Sequence, residues 1–158
     1  MSIRTRQATE ADIPAIAAVG AAAFTPASDA ITRAVYPAHL QPTGELNWDD
    51  YIAIRTRRKT AQFANEYTTI LVAISDEVFP EGEDAGADTV SPDGERIVGF
   101  AVWTAPHPFG EESKRPELPD FVDKEVMKNL LTNLHEGAKR LFGESEGCDA
   151  WCKAKSFV

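Results

Sequence analysis

The sequence predicts an α/β (α+β) fold in which a mixed, mostly antiparallel sheet is flanked by helices. Two apolar, β-branched runs at 68–74 and 96–105 predict the neighbouring strands of a hairpin. Capped segments with helical spacing predict three helices before this hairpin and one after it. The 158 residues are enough for one domain with its own core, so we expect a single domain over 1–158.

The N-terminal segment predicts a strand followed by a capped helix. Residues 3–8 alternate well enough for a first strand. Thr9, with Asp12 three residues on, forms a carboxylate version of the capping box, and apolar residues then recur at helical spacing. Pro26 is expected to end this helix.

Two further helices are predicted before the hairpin. Asp29 lies near the start of a short helix over 28–36, which Pro37 stops, and whose inward residues are expected to be Ile31, Ala34 and Val35. Asn47 is expected to cap a longer helix over 48–65. The residues of this helix that we expect to be buried are Trp48, Tyr51, Ile52 and Phe63.

The helix over 48–65 also carries four basic residues, Arg55, Arg57, Arg58 and Lys59. One interpretation is an anion clamp for phosphates or carboxylates. The other is a solvated helix face, and it is favoured because runs of charge on helices usually face solvent.

The run from Arg96 to Gly110 predicts a central strand, buried on both faces, with a functional site at its C-terminal end. Its apolar residues occupy both parities, and Gly99 within it suggests a bulge or a close backbone approach. Trp103, His107 and Phe109 follow at its end and place a titratable ring among aromatics. Trp103 could equally be a core residue, and His107, between two prolines, a loop residue.

An acidic segment at 76–95 carries most of the net charge of −9, with eight acidic residues and no basic ones. Its composition predicts a mobile connection between the two hairpin strands. The acidic balance argues against nucleic-acid binding. No apolar run approaches the ~20 residues of a membrane span, and no signal peptide precedes the first strand, so we expect no membrane contact and a cytoplasmic location.

The C-terminal part predicts a helix that begins at Asp120, is supported by Asp123 and is closed by Gly143. It carries the clearest apolar stripe of the chain. His135 lies at the edge of this stripe, where a structural role is the more common one. Cys148 and Cys152 cannot complete a zinc site alone, so no metal is expected.

The order of these elements resembles the N-terminal half of the GNAT superfamily of N-acetyltransferases, in particular fungal small-molecule members. The resemblance is carried by I-R-T-R-Q-A-T-E-A-D-I-P-A-I (3–16), A-A-A-F (21–24) and R-I-V-G-F-A-V-W (96–103). It implies acetyl-CoA as cofactor. In that family, the fourth strand binds the pantetheine arm, and a Q/R-x-x-G-x-G/A loop at a helix N-terminus binds the pyrophosphate.

The sequence departs from the family in having no such glycine-rich loop, and it ends where the fourth strand is expected to begin. An incomplete sheet would expose a strand edge. We therefore expect a homodimer or a strand exchange to complete the sheet, or a C-terminus that folds across the gap.

Three functions follow from this comparison. The first is transfer of an acetyl or acyl group from acyl-CoA to a small-molecule amine, with His107 and Glu111 as candidate bases. The resemblance then places the substrate among Phe24, Asp29, Tyr36, Trp103 and Phe109, although Asp29 and Tyr36 could simply cap and close a helix. In this hypothesis the basic residues 55–59 replace the missing phosphate loop. The second is an isomerase, cyclase or lyase that acts on an apolar small molecule without CoA, and the third is a non-catalytic dimeric binding module.

Overall fold

The computed structural model describes residues 2–76, 89–105 and 118–142. In these ranges the chain forms three strands, β1 (Ile3–Gln7), β2 (Thr68–Ser75) and β3 (Arg96–Thr104). The helices are α1 (Ile13–Ala23), α2 (Ala30–Val35), α3 (Trp48–Phe63) and α4 (Lys124–Phe142), with 3₁₀ turns at Glu10–Asp12 and Ala38–Leu40. The predicted α+β class is confirmed.

The strands form an antiparallel sheet in the order β1-β2-β3. Ile3 of β1 pairs with Ser75 of β2, and the register continues to Gln7 opposite Leu71. The Ala8 N–H extends the pairing by donating to the Ile70 carbonyl at 2.8 Å. Within the described residues, β3 is therefore an edge strand, next to β2 as the predicted hairpin requires.

The core lies between one face of the sheet and helices α1 and α3. Its members are buried apolar side chains of α1 and of β2 and β3, with Ala8: Ala8, Ala15, Ile16, Val19, Ile70, Val72, Ile74, Ile97, Phe100 and Val102. Phe63 of α3 packs against this cluster. Helix α1 is buried over most of its surface, because its alanines and Gly20 let neighbouring elements approach closely.

Strand β3 is not buried on both faces, so that prediction is wrong. Ile97, Phe100 and Val102 are buried, whereas Val98, Ala101 and Trp103 are exposed. The buried positions change parity between Ile97 and Phe100, the pattern that a β-bulge near Gly99 produces. The apolar residues on both parities came from this shift.

The chain groups into two compact units. The first contains β1, α1, α3, β2 and nearly all of β3, and the second contains α2 and α4. The prediction of a single domain stays a prediction.

In the second unit, α2 and the start of α4 are joined by backbone contacts. The Asp123 N–H donates to the Val35 carbonyl at 2.8 Å, and the Gln41 side-chain amide donates to the Phe121 carbonyl at 2.9 Å. Val35 is buried as predicted, but Ile31 and Ala34 are exposed because α2 is only six residues long and turns a single face inward.

Several predicted boundaries hold and one cap is wrong. The Thr9 N–H donates to Asp12 Oδ2 at 2.7 Å, which confirms the predicted capping box. Helix α4 is capped by Asp123, whose Oδ1 accepts from the Val126 N–H at 2.9 Å, and not by Asp120, which pairs with Lys124. Gly143 lies outside the described residues.

Residues 89–95 form a hydrogen-bonded approach to β3. Val90 pairs with Arg96, and the Ser91 N–H donates to the Glu95 carbonyl at 2.8 Å. Gly94 has a φ of 78°, which favours glycine in this turn. The rest of the predicted acidic connection, 77–88, lies outside the described residues.

Candidate functional site

Three of the seven predicted site residues, His107, Phe109 and Glu111, lie outside the described residues. Trp103, near the end of β3, is 48% exposed. Its side chain is therefore not a core residue, which removes one of its two interpretations. The predicted pocket at the end of β3 stays a prediction.

Phe24, Asp29 and Tyr36 belong to the second unit, whereas Trp103 belongs to the first. The Asp29 carboxylate accepts hydrogen bonds from the Thr32 N–H at 2.7 Å and from the Thr32 hydroxyl, so it caps α2. The Tyr36 ring lies 6.4 Å from the Phe121 ring, and its N–H ends α2. Phe24 is half-buried. Asp29 and Tyr36 thus have local structural roles.

The basic residues of α3 divide between two faces of the helix. Arg57 and Arg58 are exposed, Arg55 is half-buried and Lys59 is only 5% exposed. A spacing of four residues places Arg55 and Lys59 on one face together with Tyr51, and this face packs inward. The expectation of a fully solvated basic face is therefore wrong for Lys59. Trp48, predicted buried, is 41% exposed.

The Lys59 ammonium lies against an aromatic ring. Its Nζ is 4.2 Å from the centre of the Phe100 ring and donates to Gln62 Oε1 at 3.0 Å. Burial, followed by the positive charges of Arg58 and Arg55, lowers the pKa of Lys59 from 10.5 to about 8. Near neutral pH this lysine is close to exchanging its proton, which is unusual for an amine of this type.

Arg55 is held in place by α1 and by Tyr51. Its guanidinium carbon lies 4.6 Å from the centre of the Tyr51 ring, and its Nη2 donates to the Tyr51 hydroxyl. A Cβ at Gly20 would lie 2.9 Å from Arg55 Nη1 and 3.4 Å from the Phe100 ring. The absence of a side chain at Gly20 therefore makes room for both the guanidinium and the ring.

A second group of charges, on β1, is fully matched in sign. Arg6 donates to both carboxylate oxygens of Asp12, at 2.7 and 2.9 Å, and its Nε and Nη2 contact Glu95 Oε2, at 2.8 and 2.7 Å. Arg4 also pairs with Glu95. The hydrogen bonds from Arg6 lower the pKa of Asp12 to about 2. This group fastens residue 95 and the 3₁₀ turn to β1, and it offers no uncompensated charge for a ligand.

The chain matches no known protein-family model, and no curated protein matches it either. Among the described residues, no group of three or more histidine, cysteine, aspartate or glutamate side chains could hold a metal ion. No helix in the described ranges combines the length and the apolar character needed to cross a bilayer.

The inward face of α3, formed by Tyr51, Arg55 and Lys59 and hereafter called the basic site, is the candidate that sequence reasoning passed over. The available signal was the spacing of these three residues, which share one face with an aromatic side chain. A solvated face would not need a tyrosine at the same phase of the helix.

Proposed function

We propose that the protein is a GNAT-like acyltransferase that transfers an acetyl or acyl group from acyl-CoA to a small-molecule amine. The observation that carries the proposal is the order of elements around the sheet. β1, α1 and further helices precede β2 and β3, and the strands are antiparallel in the order β1-β2-β3. This is the order that the resemblance in 3–16, 21–24 and 96–103 implies.

The outer edge of β3 supports the placement of the acyl donor. In the described sheet β3 has β2 on one side only, so its other edge is the position of the next strand. In the GNAT family that next strand supplies backbone groups to the pantetheine arm. A homodimer or a strand exchange that adds a strand at this edge belongs to the same proposal.

The acceptor amine is proposed to bind near the end of β3. Trp103 has the exposed ring that such a pocket needs, and His107 and Glu111 follow it in the chain as the proposed bases. A base takes the proton of the attacking amine while the site holds amine and thioester together. Phe24, Tyr36 and Phe109 are the remaining proposed contacts, and Asp29 would contribute beside its role as a cap.

The phosphates of CoA need cationic partners, because no glycine-rich loop is present in the sequence. Of the basic residues in α3, only Arg57 and Arg58 are exposed. We therefore assign the CoA phosphates to these two arginines, in place of the whole 55–59 cluster.

The first test is a thermal shift with millimolar acetyl-CoA. A ligand that binds the folded state raises the unfolding temperature. ATP at the same concentration controls for nonspecific binding of phosphates, and the double variant R57Q/R58Q should lose the acetyl-CoA shift. No stabilisation by acetyl-CoA beyond that of ATP would overturn the proposal and favour a CoA-independent enzyme or a binding module.

The second test is turnover, measured as thiol release from acetyl-CoA with a panel of small amines. H107A and E111A should lower kcat while leaving the acetyl-CoA thermal shift unchanged, since these side chains are assigned to proton transfer. Unchanged turnover in both variants would remove the assigned bases.

A further inference from the structure

The basic site contains two cations in surroundings that supply no carboxylate. α1 and β2 carry no ionisable side chain, and the one ionisable residue of β3 is Arg96. The acidic residues of α3, Asp49 and Asp50, lie in its first turn, more than two turns before Lys59. Among the described elements that pack here, the charges of Arg55 and Lys59 therefore meet only further positive charge, from Arg58.

Lys59 uses a single hydrogen bond in this environment. An ammonium has three donor protons, and in the described part of the chain only Gln62 Oε1 accepts one of them. The Phe100 ring offers its face at 4.2 Å, which is favourable but is not a counter-ion. A cation that is nine-tenths buried and lacks an anion is costly, so it either loses its proton or gains an anionic partner.

The surroundings also show that the two cations are positioned together. The Phe100 ring approaches both Gly20 and Lys59 Nζ, while Gly20 gives room to the Arg55 guanidinium. The Tyr51 hydroxyl accepts from Arg55 and orients it. A planar guanidinium next to an ammonium, both fixed by aromatic rings, is a suitable arrangement for a group with two or three oxygens.

We propose that Arg55 and Lys59 form a binding site for a small oxyanion, either a carboxylate or a phosphate group. Arg55 donates two hydrogen bonds in a fork, and Lys59 donates one of its remaining protons. Arg57 and Arg58, exposed on the same helix, attract the anion to this part of the surface. The inference goes beyond acyl transfer and does not depend on it.

The test follows Lys59 by NMR of its Cε and Nζ, assigned with the K59Q variant, while inorganic phosphate or acetate is added. Sodium chloride at matched ionic strength controls for screening. An oxyanion that binds next to the ammonium stabilises its charged form, so the pKa of Lys59 should rise saturably from about 8 towards its ordinary value.

Variants of α3 separate the basic site from the rest of the helix. R55Q keeps Lys59 as the reporter and should weaken oxyanion binding at least tenfold, whereas R55K should retain part of it. R57Q, on the exposed face of the same helix, is the matched control and should change the affinity by less than threefold.

The source of the oxyanion is distinguished by two further additions, CoA and glycine. A shift that saturates with CoA more tightly than with phosphate assigns the site to a phosphate of the acyl donor. A shift with glycine and acetate but not with phosphate assigns it to the carboxylate of an amine substrate. No saturable shift with any of these, or an equal shift in R55Q, would overturn the proposal, while acyl transfer would remain to be judged by its own assays.

Discussion

Lys59 of α3 places its ammonium 4.2 Å from the centre of the Phe100 ring, on the strand that opens the hairpin's second half. This contact joins the middle helix to the edge strand, and it brings a charged group into the apolar core. The lysine stem is long enough to pack along this surface before its charge is reached. The consequences for stability, for the neighbouring Gly20 and for ligand binding can each be measured.

The first prediction concerns pH. The pKa of Lys59 is lower in the folded chain than in the unfolded one, so the unfolded state binds more protons as pH rises. The destabilising effect of the buried charge is fully present below about pH 8 and is relieved between about pH 8 and 10.5. The free energy of unfolding should therefore rise over this window by up to about 3 kcal/mol, as measured by urea denaturation.

The control for this pH dependence is K59M, which keeps the stem and removes the charge. K59M should lose the rise between pH 8 and 10.5, whereas K128M, at an exposed position of α4, should keep it. An unchanged pH profile in K59M would assign the rise to another group.

The second prediction concerns Gly20. Alanine in place of glycine within a helix normally stabilises by about 1 kcal/mol. Here the added Cβ would meet Arg55 Nη1 at 2.9 Å, so G20A should bring no gain or a loss. In an R55A background the clash is removed, and G20A should then stabilise, as a double-mutant cycle of denaturation curves would show.

Gly137 of α4 serves as the matched position, since a Cβ there would meet nothing within 4 Å. G137A should stabilise by about 0.5–1 kcal/mol. A full gain from G20A in the otherwise unchanged chain would mean that Arg55 does not need the room.

The third prediction concerns Asp12, which is 1% exposed and accepts two hydrogen bonds from Arg6. D12N should lower the free energy of unfolding by about 2 kcal/mol, because Arg6 loses its charged acceptor. The pKa of Asp12 is lowered to about 2, so its contribution is present above its ordinary 3.8 and is lost as pH falls towards 2.

Acid denaturation of D12N and E10Q checks this assignment. Glu10 is exposed in the same 3₁₀ turn, and its replacement should leave the acid transition unchanged. Equal effects of the two substitutions would point to general charge repulsion in place of the Arg6 pair.

The fourth prediction concerns the start of α4. D123A should cost about 1 kcal/mol, because Asp123 accepts from the Val126 N–H at 2.9 Å. D120A should have little effect, because Asp120 only pairs with Lys124 at the surface. The reverse ranking in thermal denaturation would restore Asp120 as the cap.

Much of the fold could be predicted because its signals are local. The Thr9–Asp12 box and the Asp29 cap join residues three apart, so the sequence shows both partners of each bond. The choice between Asp120 and Asp123 was different, since both suit a helix start. It depended on the bond from the Asp123 N–H to the Val35 carbonyl, which lies far away in sequence.

The candidate sites divide in the same way. His107, Phe109 and Glu111 were chosen for their place after β3 and stay a prediction. Lys59 was assigned to solvent because a run of basic residues has that meaning on average. Its burial depends on Phe100 and on the missing side chain of Gly20, neither of which is visible from α3 alone.

The sequence by itself determined where the helices and strands lie and how most of them begin, since periodicity and capping act within a few residues. Only the tertiary structure decided which faces are covered. It placed β3 at the edge of the described sheet, shifted the parity of its buried residues near Gly99, and turned Lys59 inward. The physical reason is that burial is a property of two surfaces, and the second surface is supplied by residues distant in the chain.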